Sequence, residues 1–340
     1  MPAARRLAAD LAASFEVPQA SLEAFGLSSR TEPGELDHPS TMGARAVTHA
    51  LAAAKLEVAD VDLLIFAGMT RDYPAPWVGA FGVLHELGAK GTAGFDLTNR
   101  CASVHDALWL ATKMIQAGVH KRVVVCCADR FDYLFDATQP AKTPADLAYS
   151  AGAAAAVVDA DASTEIAAFA SLTNPDLAAH ILNAPAFGGS RSQIDKASLA
   201  VGRPRRRFTI NLAEARAMIE YLRAADAHNL PEVKRLAGFD EIDFVIASPL
   251  DVAAQLASLA DQGIPAAKTF FLISRLGHIG PADSLLNLGA CVASHRALGT
   301  RVVLSTRTAT YSNAIALRGN VGGIQVEGSG ISDAELAGDA

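Results

Sequence analysis

Four short apolar runs punctuate the chain, at residues 63–67, 123–128, 244–248 and 302–306. Each is continuous rather than alternating. That is the pattern of strands in a parallel sheet covered by helices on both faces. Apolar helix-type stretches separate them. One spans residues 104–118 and leads into R-V-V-V at Arg122. Another starts at Asp283 and leads into R-V-V-L at Arg301.

The order of these elements repeats. D-L-L-I-F-A-G at Asp62 matches D-F-V-I-A-S-P at Asp243, and Y-S-A-G-A-A-A-A at Tyr149 matches Y-S-N-A-I-A-L at Tyr311. The period, roughly 160–180 residues, is too long for a solenoid and fits two related halves. The pattern predicts an α/β chain with an N-terminal half over residues 1–170 and a C-terminal half over 241–340. Residues 171–240 form a connecting segment with its own helix over 212–228 and a substrate-tunnel loop near Gly188 and Gly189. The polar tail from Gly328 is expected to fray.

Composition narrows the class. With 340 residues, 51% hydrophobic and 19% charged, the chain can bury a large core. A net charge of −7 speaks against a general nucleic-acid binder. No run of about 20 apolar residues exists, and no signal-type segment opens the chain, so a cytoplasmic protein that does not span a membrane is expected. The four cysteines, Cys101, Cys126, Cys127 and Cys291, form no C-x-x-C pair. Neither a zinc site nor a disulfide framework is signalled, and no bound cofactor or metal is expected.

The repeat puts reactive side chains at equivalent places. F-D-L-T-N-R-C ends at Cys101, and F-L-I-S-R-L-G-H ends at His278. Each follows a β-type run and precedes an apolar helix. A thiol at a helix start feels the positive end of the dipole and nearby N–H groups, which favour thiolate and suit an oxyanion. Position alone leaves open an inert buried cysteine, the expected fate of Cys126, Cys127 and Cys291. His105, four residues on, is a candidate to face the nucleophile. Asp283 lies five residues after His278, across a turn containing Pro281. A carboxylate there either orients the imidazole as a general base or only complements the helix dipole. The repeat favours the first, because it independently sets His278 opposite Cys101.

These stretches resemble the ketoacyl-ACP synthase III family over about residues 25–318. The similarity is carried by D-L-L-I-F-A-G-M-T-R-D-Y-P-A-P, F-D-L-T-N-R-C, V-V-V-C-C-A-D and G-A-A-A-A-V-V. The resemblance implies a thiolase-like, five-layered αβαβα fold and a homodimer. It also implies an acyl thioester on Cys101, loaded from coenzyme A or a phosphopantetheinyl acyl carrier protein. The chain departs from the family's Cys–His–Asn set. The histidine position falls on Ser248, the asparagine position on His278, and Thr306, Arg307 and Thr308 replace a glycine-rich loop. Decarboxylative condensation needs two neutral donors to hold an enolate. A histidine backed by Asp283 suits deprotonation of a hydroxyl, amine or thiol instead. A Cys–His–Asp set in this scaffold is similar to ketosynthase-III-like acyltransferases of polyketide tailoring, such as the cervimycin-type malonyltransferases.

The expected activity is acyl transfer through Cys101 to a small-molecule hydroxyl or a carrier-protein thiol, with His278 as base and Asp283 orienting it. Cys101 N–H and a donor near Thr308 are expected to hold the oxyanion. Arg30 and Phe25 fall near the phosphopantetheine by resemblance. Arg205 and Arg207, in the basic run with Arg203 and Arg206, suit an acidic carrier or coenzyme A phosphates. Phe187, Ile210 and Asn211 are candidates for the acyl pocket, and Arg307 for a substrate carboxylate such as malonyl, or for a structural ion pair. Three rivals stand beside this reading: a condensing enzyme with an altered triad, a thioesterase-like hydrolase, and a non-catalytic partner subunit of a heterodimeric synthase.

Overall fold

The protein is described by a computed structural model over residues 1–73, 76–133, 144–177, 212–295 and 297–327. Strand β1 (Ala4–Leu7) precedes helices α1 (Ala8–Phe15) and α2 (Gln19–Phe25), and β1 pairs antiparallel with β2 (Ser29–Glu32). The first half continues through α3 (Pro39–Ala54), β3 (Leu63–Phe66), α4 (Gly79–Glu86), β4 (Ala93–Asp96), α5 (Ser103–Gln116), β5 (Arg122–Arg130), α6 (Pro144–Ala148) and β6 (Ala151–Asp159). Strand β7 (Thr164–Thr173) leads toward α7 (Leu212–Leu236). Then come β8 (Phe244–Ser248), α8 (Val252–Asp261), β9 (Thr269–Phe270), α9 (Ile273–Leu276), α10 (Ala282–Ala293), β10 (Arg301–Arg307) and β11 (Tyr311–Gly319).

Two sheets carry the architecture. The first has order β4-β3-β5-β6 and the second β9-β8-β10-β11-β7. Their shared four-strand core is the same. The strands β3 and β8 each lie between two parallel neighbours, and β6 and β11 close antiparallel on β5 and β10. The sequence repeat is therefore a repeat of strand order.

Side-chain alternation along these strands builds the layers. In β5, Val123, Val125 and Cys127 face inward, against Val104, Ala107, Leu108 and Ala111 of α5. Those four positions follow i, i+3, i+4, i+7 spacing, one face of a helix. The same central layer holds Ala282, Leu286, Ala290 and Cys291 of α10, and beneath it Ile246, Leu304 and Ile315 of the second sheet. The opposite face of the first sheet, with Leu64, Phe66, Val124 and Cys126, packs on Met42, Val47 and Leu51 of α3 and Val83 of α4. The outer face of the second sheet, with Val245, Val303 and Ala314, meets Leu230 and Val233 of α7 and Leu259 of α8. The result is five layers, αβαβα. Each large side chain so enclosed contributes about 1.5–3 kcal/mol of burial free energy.

Two expected boundaries move. Position 170 falls inside β7, whose residues pair with β11 from Thr164↔Gly319 to Thr173↔Tyr311. The chain thus enters the second sheet before the expected end of the first half. Helix α7 runs to Leu236 rather than ending at 228, passing through Pro231. It continues because Leu230 and Val233 are fully buried against the second sheet.

Candidate active site

Cys101 sits on a tight turn between β4 and α5. Arg100 adopts a left-handed backbone with φ 56°, a conformation non-glycine residues hold only where their surroundings enforce it. Ser103 provides that enforcement. Its hydroxyl accepts from the Asn99 N–H at 2.6 Å and donates to the Arg100 carbonyl at 2.6 Å. Cys101 is thereby presented, half-buried, just ahead of the first turn of α5. Its Sγ also lies 3.8 Å from Met69 Sδ.

His278 occupies the corresponding turn of the second half, between α9 and α10. Gly277 and Gly280, at φ 73° and 64°, bracket it. Its N–H donates to the Ala148 carbonyl at 2.6 Å, and its own carbonyl accepts from the Ser150 N–H at 3.1 Å. The ring is buried, edge-on to Tyr149 with centroids 5.4 Å apart and stacked with Phe131 at 6.2 Å.

Three reactive groups meet there. His278 Nε2 is 3.2 Å from Cys101 Sγ, and Nδ1 is 2.6 Å from Asp283 Oδ2. The other oxygen, Asp283 Oδ1, accepts the Ile279 N–H at 2.8 Å. Asp283 stands in the first turn of α10, where an anion suits the dipole. Burial opposes a charge on His278, but the Asp283 carboxylate and the Cys101 sulfur outweigh it. They raise the imidazole pKa well above its ordinary value. An imidazolium beside a sulfur is thus the favoured charge state. By contrast, burial raises the Cys126 and Cys127 thiols and leaves them inert.

Other expected site residues lie elsewhere or do other work. Ser248 ends β8, buried, with its hydroxyl 2.8 Å from Ser284 Oγ. The Thr308 N–H donates to the Tyr311 carbonyl at 3.0 Å, closing the β10–β11 turn. The second oxyanion donor expected there is already engaged in the hairpin. Arg307 forms a buried ion pair with Asp226 of α7 at 3.1 Å, because its position on β10 alternates outward toward the outer helices. It is a structural arginine and not a partner for a substrate carboxylate. Arg30 donates to the Leu147 and Tyr149 carbonyls, both at 3.0 Å, and so braces the segment beside His278. Phe25 packs with Leu22 and Leu147 in a small cluster under the N-terminal helices. Phe187, Arg203, Arg205, Arg206, Arg207, Ile210 and Asn211 lie outside the described residues. His105 does not face Cys101. It points into the central layer, 2.8 Å from Asn313 Oδ1 and 3.0 Å from Ser284 Oγ.

The aromatic pair at His278 has a partial signal in the sequence, since Tyr149 opens the repeated Y-S motif. Phe131 and Met69 carry no such signal. Among the described residues no group of three or more His, Cys, Asp or Glu side chains is placed to hold a metal. No helix among them is long and apolar enough to cross a membrane.

Residues 95–175 match the model of 3-oxoacyl-[acyl-carrier-protein (ACP)] synthase III. A β-ketoacyl-[acyl-carrier-protein] synthase III of Gloeobacter violaceus is 34% identical over 140 residues, 41% of each chain. One of Streptomyces lividans is 33% identical over 135 residues, 39% of this chain and 38% of the relative. The matched part thus spans about two fifths of these curated relatives. Among solved structures, 3-oxoacyl-(acyl carrier protein) synthase III of Pseudomonas aeruginosa superimposes with a TM-score of 0.77 at 22% identity, covering 94% of this chain and 95% of that one. A variant of OleA from Xanthomonas campestris gives 0.73 at 17%, covering 92% and 94%. Together these findings show similarity to ketoacyl-ACP synthase III over residues 95–175 and an overall fold shared with the solved synthase III structures.

Proposed function

We propose that the chain is an acyltransferase working through Cys101 by a ping-pong route, with His278 as proton carrier and Asp283 as its orienting partner. The observation that carries this reading is the relay Cys101–His278–Asp283, at 3.2 and 2.6 Å. In the first half-reaction the Cys101 sulfur attacks the carbonyl of an acyl-coenzyme A or acyl-carrier thioester. The tetrahedral oxyanion forms beside the N-terminus of α5, with the Cys101 N–H as a donor. Collapse breaks the old carbon–sulfur bond, and the His278 imidazolium gives its proton to the departing thiolate. His278 is then neutral. In the second half-reaction it takes the proton of an acceptor hydroxyl or carrier thiol, whose oxygen or sulfur attacks the acyl-Cys101 carbonyl. Asp283 stabilises the imidazolium that forms, and Cys101 leaves as thiolate, restoring the starting pair.

The alternative is decarboxylative condensation, and the curated relatives carry the name β-ketoacyl-[acyl-carrier-protein] synthase III. An enolate left by CO₂ loss needs neutral donors around it. Ser248 has a single hydroxyl hydrogen and a buried neighbour in Ser284, and Thr308 N–H is committed to its hairpin. His278, charged and backed by Asp283, suits proton transfer. These features favour plain transfer. The proposed setting is natural-product tailoring in the cytoplasm by a homodimer, with the donor on coenzyme A or a carrier protein.

The test is an intact-protein mass-spectrometric screen of acyl-coenzyme A and acyl-carrier donors. The parent should gain one acyl group that Cys101→Ala does not. Acyl loading that survives in Cys101→Ala would sink the assignment.

A further inference from the structure

A buried polar chain crosses the central layer from one half to the other. It begins at Asp106 on α5. Its Oδ1 accepts from Tyr311 Oη at 2.7 Å and Asn313 Nδ2 at 2.8 Å, and its Oδ2 from Asn99 Nδ2 at 2.8 Å. Asn313 Nδ2 also donates to the Ala102 carbonyl at 3.1 Å. Asn313 Oδ1 faces His105 Nδ1, His105 Nε2 faces Ser284 Oγ, and Ser284 Oγ faces Ser248 Oγ at 2.8 Å and Thr306 Oγ1 at 3.1 Å.

Donor and acceptor counting fixes the direction of every bond. A backbone carbonyl and a carboxylate can only accept, so the amide nitrogen of Asn313 must be the atom facing them. Its oxygen therefore faces His105, and His105 Nδ1 must carry a proton. Full burial holds the His105 pKa down to about 4, leaving one proton on the ring. Nε2 is then an acceptor and Ser284 donates to it. The Ser284 oxygen is left to accept, so the hydroxyls of Ser248 and Thr306 donate inward. The chain runs one way, from Ser248 and Thr306 through Ser284, His105 and Asn313 to the Asp106 carboxylate.

Two of the groups it joins, the Ala102 carbonyl and Ser284, are linked to the reactive residues by single peptide bonds. Ala102 follows Cys101, and Ser284 follows Asp283. We propose that His105 is a positioning residue. Held as the neutral Nδ1–H tautomer, it ties the start of α5 to the start of α10 and so sets Cys101 Sγ against His278 across the two halves. The idea rests on the reading of Cys101 as nucleophile. A second consequence follows for Ser248, whose only hydroxyl proton points into the protein rather than toward a substrate. Loss of this chain leaves Asn313, Ser284 and Asp106 short of partners and frees the two helix starts to shift. A misplacement of about 1 Å costs on the order of a hundredfold in reactivity.

The experiment has two arms that need no acyl substrate. Nitrogen-15 NMR of histidine-labelled parent protein, with the His105 signals assigned by their loss in His105→Asn, should show a protonated Nδ1 and an unprotonated Nε2. A protonated Nε2, or a doubly protonated ring at neutral pH, overturns the proposal. In the second arm, iodoacetamide modification of Cys101 is timed at neutral pH. His105→Asn and Ser284→Ala should each slow it roughly tenfold to a hundredfold while circular dichroism stays that of the parent. The double variant should be no slower than the worse single one. Parent-like modification rates in folded variants overturn it. Failure of the acyl-transfer reading is separate: the parent would accept no acyl group although its Cys101 alkylates normally.

Discussion

His278 and Asp283 are joined by a 2.6 Å contact between Nδ1 and Oδ2 that closes across a turn of five residues. The turn makes that contact possible. Gly277 and Gly280 reverse the chain on either side of the ring, and the Ile279 N–H holds the second carboxylate oxygen at 2.8 Å. With Nδ1 fixed this way, Nε2 is the nitrogen left to serve Cys101. Asp283→Asn should keep the Ile279 bond but lose the charge that raises the imidazole. His278 would then become a weaker base. Single-turnover kinetics should show transfer to acceptor slowed by roughly a hundredfold or more, with acyl loading slowed less. Equal slowing of both steps would argue against the orienting role.

Gly277 makes a second prediction. Its φ is 73°, and an added Cβ would stand 2.5 Å from the Ala148 carbonyl oxygen, the same atom that accepts the His278 N–H. Backbone cannot give way there cheaply. Gly277→Ala should lower stability by about 1–3 kcal/mol in a denaturant titration. It should also reduce alkylation of Cys101, because the histidine moves with its backbone. A variant as stable and as reactive as the parent would show that the turn tolerates a side chain.

Arg307 predicts a stability effect without a selectivity effect. Its ion pair with Asp226 is buried, and Ser258 Oγ and Gln255 Nε2 also donate to that carboxylate. Arg307→Ala leaves the carboxylate without its cation, at a cost of about 3–5 kcal/mol. The ratio of malonyl to acetyl loading should stay unchanged in any folded fraction. A specific loss of malonyl loading would restore the arginine to the substrate.

Two buried groups should give the protein opposing pH responses. Burial raises the Asp129 carboxyl from 3.8 to about 7, although the N–H groups of Met69 and Thr70 and the Thr70 hydroxyl hold its Oδ1. Between those values the folded state binds more protons than the unfolded one, so this group makes stability fall as pH rises. Its span corresponds to roughly 4 kcal/mol. His105 does the reverse. Burial lowers it from 6.5 to about 4, so its contribution is complete above pH 6.5 and is lost as pH falls toward 4. That span is roughly 3 kcal/mol. Thermal melts from pH 4 to 8 should therefore separate the variants. Relative to the parent, Asp129→Asn should gain stability as pH rises to 7, and His105→Asn should gain as pH falls below 6.5. Differences that stay flat with pH would contradict both assignments.

The sheet layout was legible because each buried strand is a continuous apolar run and the order of runs repeats. That the Cys101 and His278 turns lie at equivalent places in the two halves was legible for the same reason, since the repeat carried both, and the spacing of five residues set Asp283 beside His278. Side-chain direction was not. Outward alternation on β10 turns Arg307 toward α7, and helical phase turns His105 toward Asn313 on β11, a contact across 208 residues. No local pattern encodes such a partner. Thr308 also failed as an oxyanion donor, because its N–H closes a hairpin whose register only the folded sheet defines. The extra turns of α7 beyond 228 come from burial of Leu230 and Val233, which overrides Pro231 as a stop signal.

As proposed, the Cys101–His278–Asp283 set moves an intact acyl group and makes no carbon–carbon bond. The most direct measurement follows a malonyl thioester labelled with carbon-13 in its free carboxyl, incubated with the protein and a panel of hydroxyl and carrier-thiol acceptors. The label should stay on the malonyl group, first on Cys101 and then on the acceptor. Release of the label as CO₂, with a β-keto thioester as product, would contradict it.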